Sequence, residues 1–189
     1  MIGRMNDEGS PPVSIPRLRT PRLLLREYRM ADFDAFASNL TDPEMTEFIG
    51  THDRRNAWRI FGCNTGGWLL QDTGWWAVEP HEGGGMVGYV GAFFRETWPE
   101  IEIGWGIFRN QWGRGFATEA VGEVLRWVFE VRKEKRAIAL IDAKNARSLR
   151  VAEKLGMTYE AETELFGTPV GRYVKSRGPI EELTDRGPG

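Results

Sequence analysis

The stretch "RNQWGRGFATEA", residues 109–120, places two glycines one residue apart, between an apolar run ending at Phe108 and a segment of helical period. From Phe116 to Val131 apolar residues recur at 117, 120, 121, 124, 127, 128 and 131, with Glu119, Glu123, Arg126 and Glu130 opposite. That spacing predicts an amphipathic helix. A helix beginning near Gly115 leaves its first N–H groups without intrahelical acceptors and turns its positive dipole end outward, which suits an anion. Glycines there let the anion touch the backbone. On spacing alone, Gly113 and Gly115 read equally as a plain tight turn.

Upstream, "EIEIGWGIF" (100–108) reads as a strand with Ile101, Ile103, Trp105 and Ile107 on one face and Glu102, Gly104 and Gly106 on the other. Glycines inside a strand mark a bulge or a close approach by backbone or ligand. "GWWAVEP" (74–80) and "GMVGYVGAFFRET" (85–97) precede it, and the three runs are near enough in sequence for an antiparallel meander. Before them come a short strand at 22–28, a helix starting at Ala31 or Asp32, and a second helix over roughly 53–71. Downstream, "AIALI" (137–141) is a buried strand and "ARSLRVAEKL" (146–155) a helix stopped by Gly156. "TYEAETEL" (158–165) and "VGRYVKS" (170–176) close the chain as a strand pair. The fold class is therefore mixed α/β (α+β): about seven strands, mostly antiparallel, with one parallel β-α-β unit, and about four helices. Residues 1–16 and 177–189, rich in Gly, Pro and charge, are expected to be flexible ends around one domain at 17–176.

The 189 residues, 41% hydrophobic with a net charge of −2, suffice for one domain with a proper core. No long basic run follows a phosphate backbone, so nucleic acid is not an expected partner. Cys63 stands alone and only His52 and His81 join it, so neither a disulfide nor a zinc-ligand set is expected. No segment has the apolar length of a membrane span, and "MIGRMNDEGSPPVSIP" lacks the apolar centre of a signal peptide. A soluble cytoplasmic protein that binds neither metal nor membrane is the expectation.

"GRGFAT" lacks the third glycine of a dinucleotide fingerprint, and no Gly-Lys-Ser/Thr follows to hold a triphosphate. Asp142, at the end of the next apolar strand, keeps an NAD-type oxidoreductase open as an alternative.

A closer resemblance is to the GNAT acetyltransferases, whose acyl-CoA motif runs Gln/Arg-x-x-Gly-x-Gly/Ala. "WGRGFA" (112–117) resembles it, with Gly115 and Ala117 on the small positions and Trp112 replacing the polar first residue. The ribosomal-protein N-terminal acetylase branch shares that replacement, with wording close to "WGKGYATEA". "NARSLRVAEKLGM" (145–157), "LRTPRLLLREYRMADFDAF" (18–36) and "EIGWGIF" (102–108) resemble further motifs of that branch, so the likeness spans about residues 17–176. It implies a sheet splayed between the strands at 100–108 and 137–141, with acetyl-CoA as co-substrate and no metal. It implies that backbone N–H groups of Gly113, Arg114, Gly115, Phe116, Ala117 and Thr118 cradle the pyrophosphate, with Arg114 adding a charge. It implies, too, a bulge in the strand at 100–108, main-chain bonds to the pantetheine arm at Ile107 and Phe108, and a further bond from Asn145, which also caps its helix.

Transfer to an amine needs a base. Glu102, on the glycine face, is the first candidate and Glu100 the second. Glu102 also reads as a binder of cationic substrate or an edge residue. The family's thiolate-protonating tyrosine would stand at Ala152 and is absent; Ser148, on the first turn of the same helix, is the hydroxyl available. Asp42, Glu44 and Glu47 read as a solvated helix start or a lure for a cationic amine. Trp58, Trp68, Trp75 and Trp76 form an aromatic funnel or, for at least half of them, core. Cys63 is expected to be buried packing, and His52 and His81 surface residues. The implied activity is direct acetyl transfer to a primary amine of a protein N-terminus or small molecule. A non-catalytic acyl-CoA-binding module is the second alternative, and a homodimer is left open.

Overall fold

The computed structural model describes residues 13–96 and 98–178. Eight strands form one sheet in the order β1-β2-β3-β4-β5-β6-β8-β7. They are β1 (Leu18–Arg19), β2 (Leu23–Arg26), β3 (Gly74–Pro80), β4 (Gly88–Phe93), β5 (Ile101–Ile107), β6 (Arg136–Ile141), β7 (Thr158–Leu165) and β8 (Thr168–Ser176). The strand beyond the seven expected is β1, whose two residues pair as Leu18↔Leu25 and Arg19↔Leu24. Two residues are too short a run to show a period of two. All pairings are antiparallel except β5–β6. A dinucleotide-binding sheet is mostly parallel, so the topology removes the oxidoreductase alternative. Of the ends expected to be flexible, residues 1–12 and 179–189 lie outside the described residues; Ile15 packs against the core, and the Pro16 carbonyl accepts a 2.6 Å hydrogen bond from Trp76 Nε1.

The helices are α1 (Phe33–Leu40), α2 (Arg54–Gln71), α3 (Phe116–Glu130) and α4 (Ala146–Lys154). Alternating residues of β3 and β4 serve two apolar clusters. Trp76, Val78, Val90 and Ala92 join β5 and the buried stripe of α3, including Phe116, Val121, Val124 and Trp127. Ala77 and Tyr89 join Phe36, Leu40 and Phe61 of α1 and α2. Asp53 caps α2 by accepting from Asn56 N at 2.7 Å. Trp68 at the other end of α2 meets Trp76 and Trp127 edge-on at 4.5 and 5.9 Å, which ties α2 to α3 through the sheet. Arg26, 2% exposed on β2, forks onto Asp32 at 2.7 and 2.8 Å and also pairs with Glu79 of β3. Removing either carboxylate leaves the guanidinium paired with the other but with unmet hydrogen bonds, a loss of about 1–3 kcal/mol.

The β4–β5 register runs unshifted from Gly88↔Ile107 to Phe93↔Glu102, so the expected bulge is absent from this ladder. The strand glycines instead seat aromatic rings: a Cβ on Gly104 would lie 2.5 Å from the Trp75 ring, and one on Gly106 would lie 2.6 Å from the Tyr89 ring. The β5–β6 ladder, by contrast, consists of only Ile101↔Ala137 and Glu102↔Ile138. Beyond those pairs the strands part, as the family resemblance implies.

A Cβ on Gly88 would lie 2.5 Å from the Gly106 carbonyl oxygen, which is backbone and cannot rotate away. Gly88→Ala is expected to cost about 1–3 kcal/mol by overpacking. The thermal midpoint followed by circular dichroism should fall by several degrees, and an unchanged midpoint would contradict the close approach.

Candidate active site

Where β5 and β6 part, a cleft of about 540 Å³ opens. Trp105, Gly106 and Ile107 line it from β5, the start of α3 lines one side, α4 lines another, and Glu44, Met45, Phe48 and Ile49 reach its mouth.

A 3-10 turn at Arg109–Gln111 leads into extended Trp112, and Gly113 and Gly115 both adopt φ +78. Left-handed φ is cheap only for glycine, and no atom within 4 Å of the Gly113 Cβ position would exclude a side chain. Backbone conformation, not crowding, therefore calls for the glycine. Gly115 is the N-cap of α3 and supplies no side-chain cap; Glu119 N is the first to reach it, at 3.1 Å from its carbonyl. The first-turn N–H groups of Phe116, Ala117 and Thr118 are left for an outside acceptor. Gly113, Gly115, Phe116, Ala117 and Thr118 all line the cleft. The tight turn and the uncapped helix start are thus one structure: the turn sets the direction of the helix start.

Arg114 does not line the cleft. It turns outward to Glu82 at 3.2 Å and Gln111 at 2.6 Å and lies 4.4 Å over the Phe116 ring. Trp112 donates through Nε1 to the Ile107 carbonyl at 2.6 Å. Ile107 lines the cleft with that carbonyl already engaged, while Phe108 is buried against α1 and α2, away from the cleft. Phe108 N donates to Val87 O at 2.9 Å, and its carbonyl accepts from Gln111 N at 2.8 Å. Main-chain contacts for an arm at Ile107 and Phe108 are therefore largely taken by the protein itself. The Phe108–Val87 bond sets the alternation of the antiparallel ladder, so main-chain groups at 102, 104 and 106 face β4 and those at 103, 105 and 107 face β6. Past the β5–β6 parting, Trp105 is the residue whose N–H and C=O face the gap without a strand opposite.

On α4, Asn145 Oδ1 accepts from Ser148 N at 3.1 Å, the expected N-cap. Asn145 and half-buried Ser148 both line the cleft. Arg147, Arg150 and Lys154 line it too, with Val151, and Arg147 lies 3.9 Å over the Trp112 ring. Sequence reasoning missed these three cations. Their i, i+3, i+7 spacing, with Val151 at i+4, was the available signal for one helical face.

The acidic candidates fare differently. Glu102 is 6% exposed and held at both carboxylate oxygens by Arg95, one bond at 2.9 Å; it is absent from the cleft wall. Glu100 pairs with Arg136 at 2.6 Å and with Arg172. Asp42 and Glu44 both engage Arg109, at 3.2 and 2.6 Å, so they tie the 42–50 loop to the turn before α3. Glu44 is the one carboxylate lining the cleft among the described residues, and exposed Glu47 stands outside it. Asp142 is spent locally, accepting from Lys144 N at 2.8 Å.

The aromatic funnel is not where the sequence placed it. Trp68 and Trp76 are core, Trp75 covers Gly91 and Gly104, and Trp58 is half exposed against Phe33. The cleft aromatics are Tyr89, Trp105, Trp112, Phe48 and Phe116. Burial pushes the Tyr89 phenol up to about 12, so it stays protonated at working pH. His81 contacts the Thr20 carbonyl at 2.9 Å, away from the cleft, and Cys63 is exposed, not buried, because its position on α2 faces solvent.

The architecture has close counterparts. The uncharacterized protein YkkB of Bacillus subtilis (strain 168) is 32% identical over 163 residues, covering 83% of this chain and 94% of its own. The uncharacterized N-acetyltransferase YoaA of the same organism is 25% identical over 169 residues, covering 85% of this chain and 96% of its own. The crystal structure of an acetyltransferase from Agrobacterium tumefaciens str. C58 superposes with a TM-score of 0.80 at 30% identity, covering 87% of this chain and 96% of that one. A family model described as the acetyltransferase (GNAT) domain matches residues 22–158, from β2 to the first residue of β7, and so includes the parted strands, the glycine turn and α4. The chain belongs to the GNAT family of acetyltransferases.

Proposed function

We propose that this acetyltransferase takes its acetyl group from acetyl-CoA and passes it directly to a primary amine. The observation that carries the reading is the uncapped start of α3, held open by two left-handed glycines at the wall of a cleft where two sheet strands part. The N–H groups of residues 113–118 suit a pyrophosphate, and Arg147, Arg150 and Lys154 supply positive charge across from them. The free edge of β5 at Trp105 offers an amide-bearing arm one donor and one acceptor, with Asn145 beside it on α4. The wording of residues 112–120 and 145–157 supports the ribosomal-protein N-terminal acetylase branch.

A bound acetyl thioester supplies an activated carbonyl carbon and a thiolate leaving group. The chain's part is to orient that carbonyl, take a proton from the incoming ammonium and settle the thiolate. A donor near the carbonyl oxygen would stabilise charge as it develops. Ser148, on the cleft wall, would supply the hydroxyl that hydrogen-bonds the departing sulfur. Glu102 is the base in this reading; Arg95 bonds both of its oxygens, and the amine proton would go to a lone pair that the guanidinium leaves free.

Acetyl-CoA, and not NAD, is expected to raise the melting temperature, and thiol release should appear with a primary amine present. Binding without release across a broad amine panel would favour a non-catalytic acyl-CoA module. Arg147→Glu should weaken acetyl-CoA binding by about tenfold, more at low salt, with kcat nearly unchanged, as expected for lost charge-assisted contacts. Calorimetric titration at two ionic strengths checks this, and equal affinity would remove Arg147 from the phosphate site. Ser148→Ala should lower kcat by roughly tenfold or more without changing acetyl-CoA affinity, and Glu102→Gln should shift or remove the acidic limb of the pH profile. Steady-state rates from pH 6 to 10 decide both, and unchanged profiles would end the respective assignments.

A further inference from the structure

We infer that the acceptor is a monoamine whose amine lies beside an apolar or aromatic group, and that polycations such as spermidine or aminoglycosides are poor substrates. The inference rests on the reading of the cleft as an acetyl-CoA-dependent site. Besides the α4 cations, the walls of the cleft include Met45, Phe48, Ile49, Tyr89 and Trp105. Ile49 is 56% exposed, a large apolar side chain held at the mouth with nothing covering it among the described residues.

Charge accounting separates the substrate classes. A polycation needs several free carboxylates to replace the water it loses on entering. Glu44 is the sole acid among the described lining residues, and Arg109 Nη1 already holds it at 2.6 Å. Asp42 behind it shares the same guanidinium at 3.2 Å, and Glu102 is committed to Arg95. Arg147, Arg150 and Lys154 offer a cation no partner, and bound phosphates would take them up. A monoamine avoids the difficulty: it gives up its proton to react, and its remaining body is of the same character as the wall.

The wall is also built in advance. Thr46 is buried; its N–H and Oγ1 both donate to the Asp42 carbonyl at 3.1 and 2.9 Å, and its Oγ1 lies 2.9 Å from Thr51 Oγ1. Gly50 N donates to the Thr46 carbonyl at 2.9 Å. These bonds, with Arg109, fix the loop that presents Met45, Phe48 and Ile49, so their side chains need little ordering when an acceptor arrives.

The test uses the full chain at saturating acetyl-CoA, with 2-phenylethylamine and leucinamide against spermidine and kanamycin, read by thiol release. The apolar pair should exceed the polycations in kcat/KM by about tenfold or more, the discrimination a modest apolar contact provides. Ile49→Asp, at an exposed site, should reduce that ratio by about tenfold while leaving acetyl-CoA affinity and the circular dichroism spectrum unchanged. Phe48→Asp is the second variant should the first misfold. Equal or better turnover of spermidine or kanamycin overturns the inference, as does a ratio untouched by both variants. Acetyl-CoA that binds but is transferred to neither apolar amine also overturns it and leaves the donor assignment standing. Failure of acetyl-CoA to bind instead defeats the reading of the cleft.

Discussion

The parallel ladder between β5 and β6 ends after two residue pairs, and the rest of the site depends on that early stop. A sheet that stayed closed would spend the β5 main chain on strand pairing and leave no slot in the plane of the fold. Trp105 lies at the parting and packs against both the cluster under α3 and the one that Ala139, Ile141, Ala152 and Met157 form beside α4. Its ring fills space between the two halves while its peptide groups face the gap. Trp112 completes the arrangement by taking the Ile107 carbonyl, which holds the glycine turn against the end of β5.

Arginine pairing governs the electrostatics around the cleft. Arg22 holds Glu119 and the Arg114 carbonyl, which fixes the start of α3 to the β1–β2 edge. Arg109 neutralises Asp42 and Glu44, Arg95 neutralises Glu102, and Arg136 and Arg172 share Glu100 and Glu160. Most acids that composition made available for an amine are thereby consumed as structure. The cations left on the cleft wall lie on α4, facing the uncapped end of α3, so the two sources of positive potential act on the same volume.

Much of the scaffold was legible because its periods are long and clean. Of the seven apolar positions read for α3, Ala120, Val121, Val124, Trp127 and Val128 form its buried stripe with Phe116 and Leu125, whereas Ala117 is half-buried and Val131 is exposed past the helix end; Asn145 followed three residues later by Ser148 is a cap readable from spacing. The two-residue β1 escaped because pairing, not pattern, makes it a strand. The strand glycines were read as room for a bulge or ligand, yet they make room for Trp75 and Tyr89, which come from other strands. No local signal says which neighbour will approach a missing side chain.

By itself the sequence determined the order of elements, the glycine turn before α3, the polar start of α4 and the family to which these motifs point. Those features arise from neighbours along the chain, where φ, capping and periodicity act. Only the tertiary structure decided that Arg95 claims Glu102, that Arg109 claims Glu44, that Arg114 turns away while Arg147 turns in, and that Tyr89 and Trp105 are among the cleft aromatics. Each is a choice among several possible partners, made by the packing of strands and helices, and a charge or ring carries no mark of which group will reach it first.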